Sequence, residues 1–109
     1  MAETSDILTR LLERTDEDKV IWQTTVEDNE FLVVLGKLSV TIRQYEFQGM
    51  QNVLRILNEE GTEIEMLGTS TNEGAPWYAE LSDLYRKARR IALGVDSQLE
   101  DLLKVLESD

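Results

Sequence analysis

The side chains in this chain that could do chemistry are carboxylates and guanidinium groups. Two short acidic stretches, Asp16-Glu17-Asp18 and Glu27-Asp28-Asn29-Glu30, carry oxygen ligands close enough together to hold Ca²⁺ or Mg²⁺ weakly. Neither has the alternating ligands, central glycine and closing glutamate of a tight calcium loop, so both read as solubilising turns. Arg86, Lys87, Arg89 and Arg90 gather four of the 11 basic residues into one short segment. Guanidinium forks at that density could dock an acidic partner or a phosphate. The same spacing also suits the solvated face of a helix, because Asp83 and Lys87 stand four residues apart and can pair.

The chain has no His and no Cys. General base work usually falls to His. Without Cys there is no thiolate nucleophile, thiolate metal site or disulfide framework. No Gly-rich phosphate loop, G-x-S-x-G elbow or zinc signature is present. A carboxylate pair could replace His, but the acids fall in turns or at outward strand positions such as Glu63 and Glu65. The expectation is a protein without catalytic residues, metal site or cofactor.

Acidic residues number 22 against 11 basic ones, a net charge of -11. That balance opposes phosphate-driven nucleic-acid binding and anionic membranes, and it suits a basic partner or simply solubility. No apolar run approaches the ~18 residues of a membrane helix. The first residues, Met1 to Asp6, are polar and acidic and do not resemble a signal peptide. A soluble, cytoplasmic protein is expected.

A chain of 109 residues makes one domain, residues 1–109, able to fold without staples. Ile7, Leu8, Leu11 and Leu12 recur at helical spacing after Thr4 and Ser5, either of which can cap the helix. Val20, Ile21 and Trp22 suit a short edge strand. Phe31 to Leu35 and Leu38 to Ile42 flank Gly36-Lys37, a turn with Gly first as a type II′ hairpin wants. That turn pairs Leu35 with Leu38, Val33 with Val40 and Phe31 with Ile42 on one face. Gln48 to Asn52 reads as a loop. A second hairpin folds about Asn58-Glu59-Glu60-Gly61, closed by Asn58 and Thr62 with Gly61 left-handed. Simple alternation then sets Ile56 against Ile64, Leu54 against Met66 and Arg55 against Glu65.

Gly68 to Ala75 is a polar loop, and Pro76 fits the first turn of the helix that follows. Leu81, Leu84, Tyr85, Ala88, Ile91, Ala92 and Val95 form the strongest helical stripe in the chain. Gly94 ends or kinks it. Ser97 with Glu100 forms a capping box for a final helix carrying Leu99, Leu102, Leu103 and Leu106. The expected fold is α+β: an antiparallel four-stranded meander of two hairpins, with one N-terminal helix and two C-terminal helices. One extra short strand would accommodate Val20 to Trp22.

The sheet is apolar on both faces, which a one-sided antiparallel sheet is not. Leu32, Val34, Val53 and Leu57 point away from the face bearing Leu35, Val40 and Ile56. Either helices cover both faces, or a second copy or another protein covers one. Trp22, Trp77 and Tyr78 are interface-prone aromatics, although core anchoring, in which such an aromatic fixes a helix against the sheet, is the better reading.

The stretch from Leu81 to Leu103, with its Leu84-Tyr85-x-x-Ala88-Arg89-Arg90 core, resembles the tail of small bacterial α+β proteins. In those proteins a Trp-containing segment, two β-hairpins and an L-Y-x-x-A-R-R type helix follow one another. The resemblance, from Leu8 to Leu106, implies the same layout and a bacterial cytosolic setting, with no activity attached.

These readings converge on a non-enzymatic protein-binding or accessory domain that self-associates as a homodimer or binds a protein partner. The candidate contact residues are Leu32, Val34, Val53 and Leu57 on the sheet, Arg86, Lys87, Arg89 and Arg90 on the helix, and Trp77. Direct nucleic-acid binding and membrane association are not expected. The alternative is an acidic inhibitor of a nucleic-acid-binding protein, of the DNA-mimic, immunity or anti-defence kind, which needs its acids gathered on one face.

Overall fold

The computed structural model describes residues 3–46, 50–68 and 77–108. Helix α1 runs Thr4–Asp16 and the strands are β1 (Gln23–Thr24), β2 (Glu30–Leu35), β3 (Leu38–Glu46), β4 (Met50–Leu57) and β5 (Glu63–Gly68). Helices α2 (Tyr78–Ala92) and α3 (Val95–Glu107) follow. The strands form one antiparallel meander in chain order, β1 to β5. The expected α+β layout is present with its three helices, and the sheet has five strands rather than four. The added strand is the two-residue β1, which lies just after Val20 to Trp22 and pairs Gln23 with Leu32 and Thr24 with Phe31.

Each element starts for a local reason. The Asp6 carboxylate accepts the Glu3 N–H at 3.0 Å, so Glu3 caps α1 in place of Thr4 or Ser5. Gly36 has φ +66 while Lys37 stays at negative φ, the pattern of a type II′ turn. The β2–β3 register follows: Leu35 with Leu38, Val33 with Val40, Phe31 with Ile42. Strand β4 begins at Met50, so Met50 to Asn52 belong to the sheet and not to a loop. Asn52 is buried opposite Gln44, whose amide Nε2 donates to Asn52 Oδ1 at 3.3 Å. Residues 47–49, the loop 69–75 and Pro76 lie outside the described residues.

The second hairpin departs from simple alternation. Its turn is closed as expected, by Asn58 and Thr62, with Gly61 at φ +84. A bulge then places Leu57 opposite Glu63 but Ile56 opposite Glu65. Beyond it Arg55 faces Met66 and Leu54 faces Leu67. The extra residue, Ile64, flips the rest of β5, so Leu67 turns to the core. Ile64 and Met66 are left 53% and 54% exposed.

Helices α1 and α2 lie together on one side of the sheet. Leu8 and Leu11 of α1, with Leu81, Leu84, Tyr85 and Ala88 of α2, form a single core with Phe31, Val33, Val40, Ile42 and Leu54. Trp22 joins this core, 2% exposed, and donates its indole N–H to Thr15 Oγ1 at 3.1 Å. The Thr15 hydroxyl in turn donates to the Leu11 carbonyl at 2.7 Å. Phe31 and Tyr85 rings meet at 5.6 Å between centroids.

Helix α2 ends where Gly94 turns left-handed, φ +62, and α3 begins at the next residue. Gly94 rather than Ser97 therefore opens α3, and Gln98 donates its side-chain amide to the Leu93 carbonyl at 2.6 Å. Helix α3 touches the end of α2 and contributes no residue to the core. The molecule is correspondingly long, 57 × 34 × 26 Å, with a radius of gyration of 15.4 Å. A compact chain of this length would have about 13 Å.

Candidate protein-binding surfaces

The strand register gathers the sheet candidates on the face away from the helices. Three cross-strand rows run over it: Leu32–Thr41–Arg55–Met66, Glu30–Arg43–Val53–Gly68 and Val34–Ser39–Leu57–Glu63. Leu32, Val34, Val53 and Leu57 thus share one surface, as their alternation predicts. Val34 is 58% exposed and the other three are half-buried by their neighbours. A shallow depression at one end is lined by Tyr45, Gln51, Val53, Arg55, Glu63 and Met66.

The charges on this face are already compensated. Arg55 donates Nε to Glu63 Oε1 at 2.7 Å, and its Nη1 lies 3.8 Å from Glu30 Oε2. The expected partner Glu65 is displaced by the bulge. Arg43 reaches Glu27 at 3.4 Å and stacks 4.6 Å above the Tyr45 ring. The face therefore offers apolar groups framed by two arginines that carboxylates already engage, not a free basic field. Thr41, in the middle row, is buried, and its Oγ1 has no partner among the described residues.

The arginine-rich segment of α2 is mostly engaged within the chain. Arg86 pairs with Asp83, and Lys87 bridges Asp83 at 3.0 Å and Asp16 at 2.5 Å, tying the end of α1 to α2. Both carboxylates hold the Lys87 proton, raising its pKa above the usual lysine value. Arg90 pairs with Asp96 across the α2–α3 junction. Arg89 is exposed and makes no ion pair among the described residues, although it lies close enough to Tyr85 to favour the phenolate. Burial outweighs that influence and raises the Tyr85 pKa.

The aromatics divide. Trp22 is a core residue. Trp77 precedes α2 in the left-handed region, φ +67, with 38% of its surface exposed. The acids are spread over α1, the stretch before β2, the second hairpin and all of α3. Among the described residues no three acids converge on a point that could hold a metal ion.

A second apolar surface lies on α3. Leu99, Leu102, Leu103, Val105 and Leu106 are 48–71% exposed. The leucines read from sequence as the apolar face of the final helix, and among the described residues that face is not buried against the sheet. The signal that it would be left over is a count of layers. Three amphipathic helices and a two-faced sheet carry more apolar surface than one helix layer on one sheet can bury. No described helix is long and apolar enough to cross a membrane. No protein family, curated protein or solved structure matches the chain.

Proposed function

We propose that this chain is a non-enzymatic protein-binding domain that works in the cytoplasm, either self-associating or serving as an accessory subunit. The observation that carries the reading is the outer face of the sheet. Leu32, Val34, Val53 and Leu57 stand in the rows of a meander whose only helix layer among the described residues is on the other side. A patch of this kind on a soluble protein marks an interaction site. Arg43 and Arg55, both engaged by carboxylates, frame it, which suits a protein surface better than a phosphate or a polyanion. The α2 cluster supports contact less strongly, since Arg86, Lys87 and Arg90 are paired within the chain.

The test is photocross-linking in the cells that make the protein. A benzophenone amino acid is placed at Val34 and, separately, at Leu102. A discrete adduct that disappears when Leu57→Glu is added to the Val34 probe supports the reading. Absence of any adduct at both positions, with a monomer in solution, removes it.

A further inference from the structure

We infer that α3 is a self-association helix, pairing antiparallel with α3 of a second copy of this chain. The inference rests on the protein-binding reading and gives it a partner and a contact.

Helix α3 needs a partner to be a helix at all. It has 13 residues, and isolated helices shorter than ~12–15 residues are marginal in water. Most helices in proteins are held by burying an apolar face, and α3 buries none of its residues. Among the described residues its main contacts are with α2, including the Arg90–Asp96 pair and the Gln98 bond to the Leu93 carbonyl.

The spacing says what kind of partner fits. Val95, Leu99, Leu102 and Leu106 are four, three and four residues apart, a two-stranded helix seam, with Leu103 beside it. Glu100, Asp101, Lys104 and Glu107 fall outside that seam. In an antiparallel pair centred between Leu99 and Leu102, Val95 layers on the partner's Leu106 and Leu99 on the partner's Leu102, each twice by symmetry. The positions flanking the seam then meet as Gln98 with the partner's Val105 and Asp96 with the partner's Leu103. No like charges face each other, although the chain carries -11. A basic helix as partner would find only Asp96 beside the seam, and Arg90 already holds it.

Charge also sets the direction. An antiparallel pair puts the two acidic bodies at opposite ends of a helix roughly 20 Å long. That separation exceeds the screening length of about 8 Å at physiological salt. A parallel pair would put both bodies at the same end. One short helix per copy falls below the ~800 Å² per partner of a standard interface, so the association is concentration-dependent, with a Kd on the order of micromolar.

The experiment is sedimentation velocity of the full chain over roughly a hundredfold range of concentration around that value. The expected result is a shift from the 12.5 kDa monomer to twice that mass. The double variant Leu99→Glu/Leu102→Glu is expected to weaken dimerisation at least tenfold. At a concentration below that of self-association it keeps the melting profile of the wild type, because neither residue is in the core. Val34→Glu is expected to leave dimerisation unchanged. The chain has no cysteine, so orientation is read by disulfides: Val95→Cys mixed with Leu106→Cys cross-links between copies, and each alone does not. Self-cross-linking of either single variant would overturn the antiparallel arrangement. A dimer lost in Val34→Glu but kept in the α3 variant would overturn the role of α3. A wild-type monomer at every concentration would overturn self-association, and a photoadduct to a different protein would then leave the protein-binding reading standing.

Discussion

The two faces of one sheet are built from neighbouring residues and have opposite fates. Phe31, Val33, Val40, Ile42 and Leu54 are buried beneath α1 and α2. Leu32, Val34, Val53 and Leu57, one residue away along the same strands, have no helix over them among the described residues. The residue types hardly differ; the number of layers does. Helix α3 could have been the third layer, but Gly94 directs it away from the sheet. Burial is therefore a property of where the helices go, and a strand's alternation cannot say which of two apolar faces receives them.

The comparison breaks most sharply by truncation. Leu54→Ala or Ile42→Ala on the covered face should cost about 2–5 kcal/mol, since both are fully buried. Val34→Ala on the open face should change stability by less than ~0.5 kcal/mol. Urea midpoints of the three variants at one protein concentration, below that of self-association, check this. Equal losses on both faces would mean that the outer face is covered within the monomer.

Two threonines buried to the same degree sharpen the contrast. Thr15 and Thr41 are each 3% exposed. Thr15 accepts the Trp22 indole N–H and donates to Leu11, so Thr15→Val strands a buried donor and should cost about 1–3 kcal/mol. Thr41 sits between Leu32 and Arg55 in the middle row, and its hydroxyl has no partner among the described residues. Thr41→Val, of the same shape, should be neutral or stabilise by up to about 1 kcal/mol. The signs are opposite, and thermal melts of the two variants read them directly. Destabilisation by Thr41→Val would show that the hydroxyl has a partner in solution.

Much of this architecture is legible in the sequence, for identifiable reasons. The β2–β3 register follows from Gly36-Lys37 and six apolar residues that agree with it. The second hairpin is half legible. Asn58 and Gly61 specify its turn, but Ile64-Glu65-Met66-Leu67 offers apolar residues to either face, and the bulge at Ile64 decides for Leu67. Strand β1 has two residues and no pattern to read. The start of β4 is hidden by polar Gln51 and Asn52; Asn52 is acceptable inside because the Gln44 side chain bonds it, while Gln51 lies on the outer face. Among the site candidates, the grouping of Leu32, Val34, Val53 and Leu57 follows from alternation. The openness of α3 does not, because a leucine stripe looks the same whether or not something covers it.

The smallest effect tests the seam between the covered layers. Lys87 joins Asp16 at the end of α1 to Asp83 on α2, and Tyr85 packs on Phe31 beside it in sequence. Both groups hold their protons more tightly in the folded chain than the usual 10.5 for lysine and 10.0 for tyrosine. Below those values folded and unfolded chains are equally protonated, and their contribution to stability is complete. As pH rises past them the unfolded chain releases its protons first, and stability falls until the folded groups titrate too. The Lys87 share is a few tenths to about 1 kcal/mol, typical of a partly exposed pair. Urea midpoints at about pH 8 and about pH 11 should therefore differ. Lys87→Met should remove the lysine share of that difference, and Tyr85→Phe, which keeps the ring on Phe31, should remove the tyrosine share. If the double variant loses as much stability at high pH as the wild type, the drop arises from general charge repulsion in an already acidic chain and not at the α1–α2 seam.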